Sequence, residues 1–206
     1  MTSLTPLPTR VAAIGPTELT PIPDAPLATA LGATIVEQAT VHLPSSRRVV
    51  YVPAYVRTEI NWTDVLPREF SAIPNKRAYA LDGVPLYPEL LIVRLLERAG
   101  WGAAWRKTWG GDAYWRDINE KAEPSPLAMT IVEQVSRQAG YAGSWDIIAW
   151  RGRELRLLSS RRAGGQRVSA FMADWLDAAL RMGIPLGCFA LVEHHSVTRP
   201  PARRRF

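Results

Sequence analysis

The sequence predicts an α/β chain of the α+β sandwich kind, with one central mixed sheet flanked by helices and a Pro-rich N-terminal extension. Three observations carry this. From Pro88 onward, segments of helical periodicity alternate with apolar strand-like runs in the order helix, strand, helical insertion, strand, strand, helix, strand. Turn and cap residues punctuate that order where element ends are needed. Hydrophobic residues make up 47% of the 206, enough to build a real core. The expected division is a flexible Pro/Thr-rich arm over 1–46, an irregular extension with an edge strand over 47–87, the core over 88–195, and a basic disordered tail over 196–206.

Each element has its own signal. "RRVVYVPAYV" (47–56) alternates as a strand, and Pro53 argues for an edge position because proline cannot donate to a ladder. Residues 57–87 carry "LPREF", "IPNKR" and "LDGVPLYP", turn-rich stretches that argue against regular elements. "PELLIVRLLERAG" has Pro88 at a helix start, Gly100 at its end, and Leu91, Ile92, Leu95 and Leu96 on an apolar face. "WGAAWRKTW" (101–109) reads as a strand with Trp101, Trp105 and Trp109 on one side; Lys107 is expected on the other side, toward Asp146. "GGDAYWRDINEKAEP" reads as a polar insertion; the eight tryptophans are expected to be mostly core, with Trp115 the best exposed candidate for base stacking. Ser125-Pro126 then opens a helix, as N-cap and first helical residue, that stops near Gly140. Two strands follow, 144–150 and 154–159, joined at Arg151-Gly152-Arg153. "AGGQR" is a loop, Ser169 caps a helix that Gly183 and Pro185 end, and "GCFALVEHH" (187–195) is a buried strand. His194 and His195 are adjacent on it, so they point to opposite faces and make no metal pair.

Charge is uneven. The net charge is +6, yet residues 151–167 alone carry six arginines and Glu154, and the tail from Ser196 carries Arg199, Arg203, Arg204 and Arg205 with no acid. Basic charge gathered in a hairpin and a tail points to a polyanion partner, DNA or RNA. The single Cys188 excludes an internal disulfide and a multi-cysteine zinc site, and its apolar neighbours predict a buried thiol in a reducing, cytoplasmic setting. The N-terminus lacks the pattern of a signal peptide, and no run approaches the roughly 18 apolar residues of a membrane span.

The segment "SWDIIAWRGRELRLLSSRRAGGQRVSAFMADWLDAALRMGIP" (144–185) and the helix "PELLIVRLLERAGW" resemble the PD-(D/E)XK nuclease superfamily, and within it the virus-type replication-repair (VRR-NUC) branch. That branch carries a Pro-Asp-apolar strand, a turn, an apolar strand ending Glu-x-Lys, a Gly-rich loop, and a helix with Trp and Leu before a Gly-Pro stop. The resemblance covers residues 88–195 and implies a restriction-endonuclease-like core. It places Asp146 at the metal-binding acid and Glu89 at a supporting acid. Trp145 stands where the family has Pro. The Glu-x-Lys positions fall on Ser159 and Arg161, or, counted back from the loop, on Ser160 and Arg162.

That departure falls on the chemistry. Phosphodiester hydrolysis in the superfamily uses a hard divalent cation held by two carboxylates. Serine supplies no charge, and arginine keeps a cation that grips phosphate but does not act as a base. The expectation is therefore a degenerate nuclease, a pseudoenzyme that binds nucleic acid through Lys107, Arg151, Arg161, Arg162, Arg167, Arg203, Arg204 and Arg205. Two alternatives stand beside it. One is an active Mg²⁺-dependent nuclease in which Asp146 shares the metal with a migrated acid, Glu133 or Glu89, and Arg161 stabilises developing charge. The other is a protein-interaction scaffold that meets a partner through residues 1–87. Glu154 starts the second strand, about 15 Å from the required place, and is too far to share a metal.

Overall fold

A computed structural model of the chain describes residues 24–68, 70, 76–107, 113–140, 145–164 and 168–197. Four helices, α1 (Ala25–Leu31), α2 (Pro88–Arg98), α3 (Pro126–Ala139) and α4 (Ala170–Arg181), cover a sheet of eight strands. The sheet strands are β1 (Ile35–His42), β2 (Val49–Ile60), β5 (Gly102–Lys107), β6 (Ala113–Asp117), β7 (Glu120–Lys121), β8 (Ile147–Arg151), β9 (Glu154–Arg162) and β10 (Phe189–Val197). Their order is β1-β2-β10-β9-β8-β5-β6-β7. A separate two-stranded ribbon pairs β3 (Tyr79–Leu81) with β4 (Val84–Leu86). The sheet is mixed: β10 lies parallel to both β2 and β9, and the other pairings are antiparallel.

The predicted sandwich of helices on a central mixed sheet is therefore present. Alternation along each strand splits the core into two layers. On one face Val52, Ile148, Leu157, Phe189 and Leu191 pack with Val132 and Val135 of α3 and with Trp175 and Leu176 of α4. On the other, Tyr55, Ala103, Trp105, Ile147, Leu158 and Val192 pack with Leu27 and Leu31 of α1 and Leu91, Ile92 and Leu96 of α2. The helix ends follow the sequence. Ser125 and Ser169 accept hydrogen bonds from the N–H groups of Ala128 and Met172, and Gly140 takes the left-handed conformation that stops α3.

The N-terminal third differs from expectation. Residues 25–42, expected within a flexible arm, form α1 and the sheet strand β1. The signals were local: Asp24 caps α1 by accepting from Leu27 N–H at 3.0 Å, and Gly32 ends it at φ 59°. Asp24 also pairs with Arg156 at 2.7 Å, which ties the helix start to β9. Strand β2 is internal to the sheet rather than at its edge. Its pairing with β10 begins at Ala54, so Pro53 lies one residue before that ladder and its missing N–H costs the ladder nothing. In the stretch 57–87, expected to be irregular, β2 runs on to Ile60 and the β3–β4 ribbon forms. The polar insertion after β5 adds β6 and β7 to the sheet. The tail from Thr198 on lies outside the described residues. No helix among the described residues is long and apolar enough to cross a membrane.

One close approach tests this packing. A Cβ on Gly102 would sit 2.3 Å from the Trp150 ring on the neighbouring strand, whereas a Cβ on Gly187 would meet nothing within 4 Å. Gly102→Ala is expected to lower unfolding stability by about 1–3 kcal/mol through overpacking, and Gly187→Ala to change it by less than about 0.5 kcal/mol. Chemical denaturation of both variants checks this, and equal midpoints would contradict the register of β5 on β8.

Candidate phosphate-handling site at the β8–β9 strand ends

The hairpin of β8 and β9 fixes the site. Its turn is the two-residue Gly152-Arg153, because Arg151 pairs with Glu154 and Ile147 with Leu158. One step beyond the Ile147–Leu158 pair, Asp146 faces Ser159 across the strands. The Ser159 hydroxyl donates to Asp146 Oδ2 at 2.5 Å, and Arg161 Nη1 lies 3.4 Å from the same oxygen. Arg161 also donates to the Ser160 carbonyl at 2.9 Å and reaches the sulfur of Met172 on α4. The two possible registers are thus distinguished. Ser159 and Arg161 share Asp146's face, and Ser160 and Arg162 turn to the opposite face, where α2 lies.

Strand β10 adds a residue that the sequence reading passed over. Glu193 is the register partner of Arg161 and is buried, so a second carboxylate stands beside the guanidinium on the α3–α4 face. Strand parity was the available signal, since Glu193 follows the buried Phe189 and Leu191 by even steps. Lys76 is another such residue. It pairs with Glu89 at 2.7 Å, and its ammonium lies 4.5 Å from the centre of the Trp105 ring. Its place in an irregular stretch gave no periodic signal.

The acid of the site is electrostatically stressed. Burial raises the Asp146 pKa above the usual 3.8, the Ser159 hydrogen bond opposes that, the negative charge of Glu89 adds to the rise, and Arg161 and Lys76 oppose it. Of the two acids weighed as partners, Glu89 is the one whose charge is felt at Asp146. Glu133 is exposed and borders a different cavity with Arg106 and Tyr114.

Asp146 Oδ2 already receives a hydroxyl and faces a guanidinium, and Glu89 is neutralised by Lys76. Among the described residues no three His, Cys, Asp or Glu side chains gather as a metal would require. These residues do not fit a Mg²⁺ site, and no step is derived through one.

The other expected contacts separate. Arg151 sits at the turn end of the hairpin, about 16 Å along the strand from Asp146 at roughly 3.3 Å per residue. There it pairs with Glu154 at 3.2 Å and lies over the Trp101 ring at 4.4 Å. Lys107 does not face away from Trp105: residues 105 and 107 share parity, and the Lys107 ammonium covers the Trp115 ring at 5.0 Å. Trp115 is correspondingly half-buried rather than free to stack on a base. Arg167, Arg203, Arg204, Arg205 and Trp109 lie outside the described residues. His194 is buried and His195 exposed, as their alternation requires. Cys188 is partly buried, and burial pushes its thiol pKa up.

Compared with protein-family models, with curated proteins and with solved structures, the chain finds no match.

The Asp146 environment gives a signed prediction. A carboxyl whose folded pKa is raised costs stability as pH climbs above its unfolded value, and that cost vanishes as pH falls toward 3.8. Asp146→Asn is therefore expected to melt above the parent at neutral pH, with the gap closing in acid. A variant that melts below the parent at neutral pH would show that the ionised carboxylate is net stabilising.

Proposed function

We propose that this chain is a nuclease-like protein with a degenerate catalytic motif that binds nucleic acid and cleaves it weakly or not at all. The observation that carries the reading is the Asp146–Ser159–Arg161 cluster. It occupies the strand ends where the PD-(D/E)XK pattern would hold a second carboxylate and a lysine. The order α2, β5, β8, β9, α4, β10 follows the helix, three strands, helix and strand of that superfamily, which supports a restriction-endonuclease-like core of the VRR-NUC kind.

The chemistry at the cluster favours holding phosphate over hydrolysing it. Arg161 is held by Asp146 and by the Ser160 carbonyl, so its planar fork is oriented before any ligand arrives. An arginine there stays charged and takes no proton from water. Without a two-carboxylate cation site, the charge that develops on a phosphorane has no metal to neutralise it. Arg162, on the reverse face of the same strand end, and the arginines of the C-terminal tail extend the positive surface along a polyanion.

Two measurements test the reading. Plasmid and single-stranded DNA, and RNA of matched length, are incubated with the protein in Mg²⁺ or Mn²⁺ beside Asp146→Asn. The expected result is binding in gel shift with no cutting; metal-dependent cutting that Asp146→Asn abolishes would make the chain an enzyme. Affinity is then followed against salt. Truncation after Val197 removes four arginines. It should reduce the slope of log affinity on log salt by about 0.9 for each one that neutralises a phosphate. Absence of binding to DNA and RNA at physiological salt would favour a protein-interaction scaffold instead.

A further inference from the structure

A cavity lies at the β9 strand end, lined mainly from the face opposite Asp146. Its volume is about 310 Å³, within the range of small-ligand sites, roughly 300–1,000 Å³. Arg77, Tyr79, Glu89, Ser160, Arg162 and His194 are among its walls, and Arg161 borders it. Glu89, the acid in this wall, is already paired with Lys76 at 2.7 Å, so the guanidinium groups set the sign of the cavity.

Its floor is unusual. His194 is 1% exposed, and its Nε2 has no hydrogen-bond partner among the described residues. Its ring stacks on Tyr79 with centroids 5.4 Å apart, and Nδ1 lies 3.5 Å from Glu59 Oε1. Glu59 is itself buried and bound by Arg57 Nε at 2.5 Å. Burial works against ionisation of Glu59, yet His194 and Arg57 hold its pKa below the usual value. A fixed carboxylate therefore backs one edge of the imidazole, while Nε2 at the other edge is left unsatisfied. Buried polar atoms are nearly always paired, so an unsatisfied one in a cavity wall points to a ligand group.

We infer that this cavity binds a terminal phosphate monoester, with Arg77 and Arg162 gripping its oxygens and Nε2 of His194, whose Nδ1 faces Glu59, as the third contact. The inference rests on the nucleic-acid reading above and deepens it. A monoester carries about −1.5 to −2 charges at neutral pH, against one for an internal diester, and so suits a pocket lined by several cations. His194 and Ser160, both buried, form part of its wall. The strand end would then present two phosphate contacts, one on each face of the sheet, from residues adjacent in sequence.

The phosphate has two sources, a nucleic-acid end or a free nucleotide, and the test separates them. Full-length protein is titrated with oligonucleotides of one sequence bearing a 5′-phosphate, a 3′-phosphate or hydroxyl ends, and separately with AMP followed by thermal shift. The expected result is about tenfold tighter binding of a phosphorylated end, near 1.4 kcal/mol. Arg77→Ala and His194→Gln should lose that preference, with Arg77→Ala keeping the hydroxyl-ended affinity within about twofold. Equal binding of all ends would overturn the inference and leave the nucleic-acid reading standing. A preference that survives both substitutions would also overturn it. If no oligonucleotide binds, the nucleic-acid reading falls and AMP decides. A shift seen in the parent and lost in Arg77→Ala sustains the pocket with a nucleotide as its ligand, and no shift ends it.

Discussion

The antiparallel register of β8 on β9 is the constraint on which the polar cluster at the strand ends depends. Ile147 opposite Leu158 sends both side chains into the α1–α2 layer. The next pair, Asp146 and Ser159, must then face the α3–α4 layer, because successive side chains leave a strand on opposite faces. A slip of one residue would bury Arg162 and Ser160 where Arg161 and Ser159 now stand. Such a slip would also turn Leu157 and Leu158 out of their own layers, so the hydrophobic core on both faces holds the polar cluster in place.

That cluster is close to charge-balanced on one side and positive on the other. On the α3–α4 face, Arg161 stands between Asp146 at 3.4 Å and, by register, the buried Glu193. On the α2 face, Lys76 offsets Glu89 and Arg57 offsets Glu59, and Arg77 and Arg162 exceed them. The buried Arg57–Glu59 pair contributes little net stability after desolvation, but removing Arg57 would leave a costly charge behind, whereas Arg161 is exposed enough for water to take over part of the role of Asp146. The chief effect of these contacts is orientation: Arg161 is aimed by Asp146 and the Ser160 carbonyl, and His194 faces Glu59.

The helices and the strands from residue 88 onward were legible because each had a period and a cap. Ser125, Ser169, Gly140 and Gly183 mark ends by chemistry that acts within a few residues. The N-terminal third was harder to read. Strand β1 exposes much of its length, so its alternation is weak, and α1 has seven residues, too few for a periodic signal to outweigh the prolines around it. Pro53 was misleading because its rule concerns one ladder. The β2–β10 ladder begins one residue later, a fact set by a strand more than 130 residues away.

The sequence alone determined the identities at the strand ends: an acid at 146, Ser-Ser-Arg-Arg at 159–162, and a helix with strong caps after them. It determined these because residue identity and local period are properties of the chain itself. Only the tertiary structure decided which Ser-x-Arg pair meets Asp146, that Glu193 and Lys76 join the site, that Arg151 and Lys107 are engaged elsewhere, and that His194 stands beside Arg162 with Nε2 unpartnered among the described residues. Each of these depends on the register between strands or on contacts between segments far apart in the chain. Distance in sequence carries no record of such contacts until packing brings the segments together.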